Sequence, residues 1–480
     1  MVSEQQEQED KFDVDLGFVV PELADLLPEG GRIETATHQL DNTYYDTAAG
    51  DLGQLRLTLR HRVGGPDAGW HLKVPSGKAR TEVHSKSRGR AVPKALTTLL
   101  RGVTRGQELA PIANLKTTRD VLRLLDAGGA LLAELADDQV ESSTLGPEAT
   151  LRSWREVEVE LGPAGDEQLL AALGDRLVEW GANPSAHASK LKRALGDGAE
   201  PAATDQETVG GVVTAYLATQ CREIVLGDLG LRRSKPVVHP TRVAIRRLRS
   251  TLRVFAPLFE ADQVAELETE LVWYAGLLGG VRDLEVLSAR LLAQVAELPS
   301  EFVLGPVAAR IDATLHTDHQ QHLALVAEAL DGERYLALLE ALARWRATPP
   351  FTDAAAEPAP ALKTYVKKAQ RKLNRRLRSA GGDPEALHSA RKAGKRFRYA
   401  AELSEPVLGK WATKSIDQGK KLQELLGEHQ DSVVSADFLR RLGAAAGSDA
   451  DQNGFTYGLL LAREWQRADD IRHELDRRFG

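Results

Sequence analysis

A cationic helix written twice constrains this chain more than any other feature. The first copy reads His239-Pro-Thr-Arg242-Val-Ala-Ile-Arg246-Arg247-Leu-Arg249-Ser-Thr-Leu-Arg253, and the second His388-Ser-Ala-Arg391-Lys392-Ala-Gly-Lys395-Arg396-Phe-Arg398. Positions 239, 242, 246, 249 and 253 are three and four apart, so at helical pitch five cationic or titratable side chains share one face. Ile245, Leu248, Leu252 and Phe255 form the adjoining apolar stripe, giving the helix one side to bury and one to charge. Like charges stacked at this spacing repel by about 0.2–0.5 kcal/mol per pair, so the face is unfavourable unless an anion lies against it.

The repeat reaches beyond these helices. His239 and His388 are 149 positions apart, as are Arg242 and Arg391, Arg246 and Lys395, Arg249 and Arg398, and Tyr216 and Tyr365. Leu-Leu-Gly279-Gly-Val-Arg-Asp283 returns as Leu-Leu-Gly427-Glu-His-Gln-Asp431 at an offset of 148. Co-linear matches predict duplicated helical bundles, about 208–347 and 360–480, paired so that the cationic helices meet. The Pro-bearing stretch 348–360 separates the bundles, and residues 196–207, small and polar, read as a linker to the front domain, 5–195.

The front domain alternates with strand period. Glu7, Glu9 and Lys11 share parity, as do Arg56, Arg60 and Arg62; Trp70-His-Leu-Lys73, Arg80-Thr-Glu82, Leu115-Lys116-Thr-Thr-Arg119, Ala-Asp137-Asp138 and Trp154-Arg-Glu156-Val-Glu158-Val-Glu160 continue the pattern. The expectation is an α+β chain: an antiparallel barrel, closed, with its apolar face outward against helices and a charged lumen, followed by an all-α domain. Carboxylates from the first and last strands can converge on a hard cation such as Mg²⁺, while Arg and Lys from the middle strands clamp phosphates. Glu156 shares the parity of Glu158 and Glu160, and Lys116 competes with Arg119 for the inward position.

Charge is unevenly divided. Residues 211–480 hold 39 Lys and Arg against 35 Asp and Glu, leaving 23 against 34 in front, so the cations serve local clusters in a chain of net charge −7. One cysteine, Cys221, excludes an intrachain disulfide and disfavours a thiolate zinc site. The N-terminal residues lack a signal-peptide pattern and no long apolar run occurs, which suggests a cytoplasmic protein that does not enter membranes. The Gly pairs at 128–129, 210–211, 279–280 and 381–382 lack the Gly-Lys-Ser/Thr ending of a Walker loop. Few aromatics interleave the cationic clusters, which disfavours nucleic acid. His316, His319 and His322 have metal-ligand spacing, but a wet helix face accounts for them more simply.

The ordered front-half motifs resemble the CYTH domain of the triphosphate tunnel metalloenzymes over about 5–195, closing with Ser189-Lys190-Leu-Lys192. The resemblance implies metal-dependent hydrolysis of inorganic triphosphate or a related triphosphate. It implies Mg²⁺ or Mn²⁺ on Glu7, Glu9, Asp138, Glu158 and Glu160, with Lys11, Arg60, Arg62, Lys73, Arg80, Arg119 and Lys190 on phosphates and Glu82 as acidic partner. The helical half resembles the CHAD domain over about 208–480. That implies inorganic polyphosphate bound by His239, Arg242, Arg246, Arg249, Arg253, His388, Arg391, Lys395 and Arg398, and an association with polyphosphate granules. A polyphosphate-binding protein without turnover, and an enzyme acting on a nucleoside or thiamine triphosphate, remain the alternatives.

Overall fold

The computed structural model describes residues 2–76, 79–87, 89–146, 149–187, 189–196, 206–380, 383–446 and 453–479. The chain divides into two compact units, Met1–Ala202 and Ala203–Gly480.

The first unit contains strands β1 (Val2–Glu7), β2 (Glu9–Val14), β3 (Arg32–Asp46), β4 (Thr58–Val63), β5 (Gly69–Ser76), β6 (Ala79–Ser85), β7 (Ala110–Leu125), β8 (Leu131–Thr144), β9 (Leu151–Leu161) and β10 (Asn183–Pro184). Its helices are α1 (Asp51–Gln54), α2 (Lys94–Thr104), α3 (Glu167–Glu179) and α4 (Lys190–Leu195). All strands join one antiparallel sheet in the order β1-β6-β5-β4-β3-β7-β8-β9-β2-β10. The expected closed barrel is corrected here: the hydrogen-bonded ladder is open, with β1 and β10 at its edges. The first segment nevertheless serves both sides, because β1 pairs with β6 and β2 pairs with β9, with only Gln8 between them.

Local chemistry sets the breaks. The long β7–β8 hairpin turns at Asp126, whose Oδ1 accepts from Ala130 N at 2.8 Å, with Gly129 supplying a φ of +85°. Asp46 accepts from the backbone of Leu52 and Gly53, both at 2.9 Å, tying the end of β3 to α1. This turn continues through Arg56 at φ 60°, so the strand expected to carry Arg56 together with Arg60 and Arg62 begins only at Thr58. The apolar faces pack outward. Leu170, Leu173 and Leu177 of α3 cover Phe12, Leu135, Val157 and Val159, and Leu191 and Ala194 of α4 cover Leu115, Val140 and Trp154.

The second unit is helical: α5 (Val209–Arg232), α6 (Val238–Val254), α7 (Ala261–Ala296), α8 (Val307–Leu330), α9 (Glu333–Ala347), α10 (Leu362–Arg378), α11 (Pro384–Leu408), α12 (Lys410–Ala446) and α13 (Phe455–Phe479). The repeated residues fall on corresponding helices: Tyr216 and Tyr365 on α5 and α10, His239 and His388 on α6 and α11, Asp283 and Asp431 on α7 and α12. Ile245, Leu248, Leu252 and Phe255 are fully buried in a core that also takes Ala390, Ala393 and Phe397 of α11. The two cationic helices therefore share their dry sides. Gly280 lets α8 approach α7, since a Cβ there would lie 2.2 Å from His322 Nδ1. Gly280→Ala should lower the melting temperature by several degrees, a calorimetric measurement; an unchanged value would show that His322 moves aside freely.

Candidate active site and cationic groove

The inward faces of β2 to β9, with α4, enclose a cavity of about 650 Å³. One wall is built on carboxylates. Ser189 caps α4 by accepting from Lys192 N at 3.1 Å, which aims Lys190 inward. Lys190 Nζ lies 2.9 Å from Asp138, 2.6 Å from Glu156 and 2.7 Å from Glu158. Arg119 forks onto Asp138 at 2.7 and 2.6 Å and reaches Glu158 at 2.9 Å. Lys11 donates to Glu158 and stands 3.3 Å from Glu9. Burial would raise the Glu158 carboxyl, but Lys11, Lys190 and Arg119 hold it well below the usual carboxylate range. Asp138 is likewise lowered against burial, by Lys190 and Arg119.

Strand register adds a second acidic row, opposing Glu9 to Glu160 and Glu160 to Glu134. All three line the cavity. Oxygens of Asp138, Glu156 and Glu158 lie within 4.8 Å of one another, so this cluster could hold a metal ion. The donor set is entirely carboxylate oxygen, and the Lys190 ammonium among the three shows that the position favours a cation; both fit a hard divalent ion.

The opposite wall is a clamp. Arg62 donates to Asn42 at 2.9 Å and pairs with Asp67; Arg60 and Lys73 stand 3.5 and 3.9 Å from Glu82. Burial, and then the neighbouring Arg60, push Arg62 down to about 10. His71, beside them, lies 3.1 Å from Glu82 through Nδ1 and stacks on His84 with ring centroids 4.5 Å apart.

Lys11, Arg60, Arg62, Lys73, Glu82, Arg119, Lys190, Glu9, Glu158 and Glu160 thus all line one cavity, and fully buried Asp138 braces Arg119 and Lys190. The backbones of Glu7 and Arg80 pair in register, while their side chains lie outside the described residues. Lys116 is exposed, and Arg119 takes the inward position; Glu156 belongs to the Lys190 cluster. Sequence reading passed over Tyr44, Asp67, His71, His84 and Glu134, which also line the cavity. Parity was the available signal for three of them: His71 with Lys73, His84 with Glu82, Glu134 with Asp138.

In the helical unit α6 and α11 carry the candidate phosphate-binding cations, but many of them already have partners. Arg242 meets Asp283 at 2.8 Å, Arg249 lies 3.6 Å from Glu268, Arg253 also pairs with Glu268, and Arg398 meets Glu402 at 2.7 Å. His239 is exposed, and His388 Nδ1 lies 2.8 Å from Gln430. Among the described residues, Arg246, Arg391 and Lys395 have no carboxylate within ion-pair distance, although Asp431 is near enough to act on Arg391 and Lys395. Burial, then Arg391, Arg246 and Arg242, push Lys395 down to about 7. Arg246 is lowered by burial and by Arg242 and Arg391, and the Nε atoms of Arg246 and Arg391 are buried without a hydrogen-bond partner. Sequence reading also missed α10, which carries Lys363, Lys367, Lys368, Arg371, Lys372, Arg375, Arg376 and Arg378 with no acid between them. Among the described residues His316, His319 and His322 form no metal-ligand group; His319 instead lies 3.6 Å from Glu285. No described helix is long and apolar enough to cross a membrane.

The CYTH domain family matches residues 11–186 and the CHAD domain family residues 215–440. An antiparallel CYTH-type unit is therefore followed by a helical CHAD-type unit. The chain belongs to the CYTH–CHAD proteins, a CYTH domain followed by a CHAD domain. Two uncharacterized proteins of Mycobacterium tuberculosis, MT2285 and Rv2226, are each 34% identical over 500 residues, covering 98% of this chain and 95% of their own. Among solved structures, PptA from Streptomyces chartreusis is 20% identical, covering 56% of this chain and 98% of its own at a TM-score of 0.49. The CHAD domain from the plant Ricinus communis is 24% identical, covering 58% and 95% at a TM-score of 0.46. CYTH domains are metal-dependent and act as triphosphatases or cyclases, which supports an enzymatic role for the front unit.

Proposed function

We propose that the front unit hydrolyses inorganic triphosphate, or a related triphosphate, with Mg²⁺ or Mn²⁺, and that the helical unit binds inorganic polyphosphate. The observation that carries this reading is one cavity with a carboxylate cluster on one wall and the Arg60, Arg62 and Lys73 clamp on the other. Asp138, Glu156 and Glu158, flanked by Glu9 and Glu160, would hold the ion, which when bound polarises phosphoryl oxygens. Arg60 and Arg62 grip non-bridging oxygens with planar forks, and Lys73 adds a point charge. Lys11 and Arg119, beside those carboxylates, would spread charge toward the leaving pyrophosphate, and Lys190, whose ammonium lies where the ion would sit, would give that position up to it. In the cell, the Arg246, Arg391 and Lys395 centre would tether the enzyme to cytoplasmic polyphosphate deposits.

Purified protein should release orthophosphate from tripolyphosphate with Mg²⁺ or Mn²⁺ and stop when a chelator is added. Running ATP, thiamine triphosphate and long polyphosphate alongside identifies the substrate. Inertness toward every triphosphate, with long chains still bound, would leave a binding protein. Charge reversal by Arg246→Glu with Lys395→Glu should weaken long-chain binding about 10-fold or more and flatten its salt dependence, with tripolyphosphate hydrolysis unchanged. Equal loss of both activities would refute separate sites.

A further inference from the structure

The clamp wall holds a buried histidine with an acceptor oxygen beside each ring nitrogen, one nitrogen being left without a hydrogen bond. His71 is 1% exposed: Nε2 is hydrogen-bonded to the Asp67 carbonyl oxygen at 2.8 Å, while Nδ1 lies 3.1 Å from Glu82 Oε1 but is buried without a hydrogen-bond partner. A neutral imidazole has one N–H and can donate to only one of them. If Nε2 donates to the carbonyl, the Nδ1 lone pair faces a carboxylate. Only the imidazolium would present an N–H to both oxygens. The neighbouring ring, His84, stacks at an interplanar angle of 21° and keeps its own Nε2 buried without a partner. Gly69 makes that fit possible, since a Cβ there would lie 2.9 Å from His84 Nε2 and 2.5 Å from Ser85 O.

The groups around the ring pull in opposite directions. Arg60 and Arg62 of β4, with Lys73 of β5, oppose a further positive charge; Glu82 of β6 and Asp67 of the β4–β5 turn favour it, and Tyr44 of β3 and His84 complete the surround. Burial and the two guanidiniums outweigh Glu82 and hold His71 below its ordinary value. A polyanion seated on Arg60, Arg62 and Lys73 would offset the charge that opposes the proton.

We propose that His71 takes up a proton when a triphosphate-class polyanion enters the cavity and so becomes a conditional cation of the clamp. This inference rests on the triphosphate reading above. Its consequence is proton-linked binding: affinity falls as pH rises through the value that His71 acquires in the complex.

The test is calorimetry of tripolyphosphate binding near neutral pH, in two buffers of different ionisation enthalpy, with a chelator preventing turnover. Wild-type protein should take up more proton per ligand than His71→Gln, by up to about one proton. Glu82→Gln should abolish the same excess with the ring still present, because its amide can donate to Nδ1 and satisfy a neutral imidazole. His84→Phe keeps an aromatic stack and should keep the uptake. Equal uptake in wild type and either folded variant at 71 or 82 overturns the inference, as does loss of uptake in His84→Phe. No binding to the wild type at all would remove the triphosphate reading and this inference with it.

Discussion

Replacing Glu158 with glutamine is expected to lower kcat/KM for tripolyphosphate by about 100-fold or more. Glu158 is where three cations meet: Lys11 and Lys190 on Oε1, and Arg119 on Oε2 at 2.9 Å. The substitution keeps the side-chain volume but removes the charge that orients all three and one oxygen of the candidate metal cluster. Asp138 and Glu156 still meet Lys190, so the unit should fold, with a lower melting temperature. Hydrolysis unchanged at saturating metal would sink the assignment of Glu158. The pH dependence supplies a second check. Against the opposing effect of burial, Lys11, Lys190 and Arg119 hold the Glu158 carboxyl well below its unfolded value. Its stabilisation is therefore fully present above the ordinary carboxylate range and is lost as pH falls through the folded value. Wild type and variant should melt furthest apart near neutrality and converge in acid.

How much of this site could be read in the sequence follows from strand period. Alternation places every second residue on one face, so Glu156, Glu158 and Glu160 could be assigned to a common face without a structure. What alternation omits is register. That Glu9 opposes Glu160 depends on a pairing between segments about a hundred and fifty residues apart, and that Glu160 opposes Glu134 depends on where the β8–β9 connection sets its register. The same limit concealed the open ladder, because parity is identical whether a curled sheet closes or stops at an edge. His71 and His84 were visible as residues but not as a stack, since stacking requires β5 and β6 to place residues 71 and 84 opposite one another.

The helical unit illustrates a different limit. Period and repeat located α6 and α11, and the dry stripe of Ile245, Leu248, Leu252 and Phe255 is fully buried. The charged faces were harder, because the anion that offsets a stacked cation can come from the same chain. Glu268 and Glu402 lie on other parts of the sequence from Arg249, Arg253 and Arg247, yet they take those charges up. A cationic face thus narrows to the cations for which folding supplies no close ion pair. Those are the ones left to attract an external polyanion.

The largest stability effect is expected at Glu464. Its carboxylate is fully buried in α13, accepts from Arg290 of α7 at 3.1 and 2.8 Å, and also accepts from Gln294. Arg290 is held as well by Glu428 of α12, at 2.9 and 2.7 Å, and by Ser432 at 2.9 Å. One guanidinium therefore joins three helices that span the duplicated bundles. Glu464→Ala strands half of that guanidinium in a dry site and should cost about 3–5 kcal/mol, because the desolvation already incurred loses its compensation. The paired change Arg290→Met with Glu464→Leu removes both charges and should recover most of that loss, since well-packed apolar side chains replace buried ion pairs at little net cost. Thermal unfolding followed by the helical circular dichroism signal separates the outcomes. A single variant that melts like wild type, or a double variant less stable than the single, would show that this network is not what holds α7, α12 and α13 together.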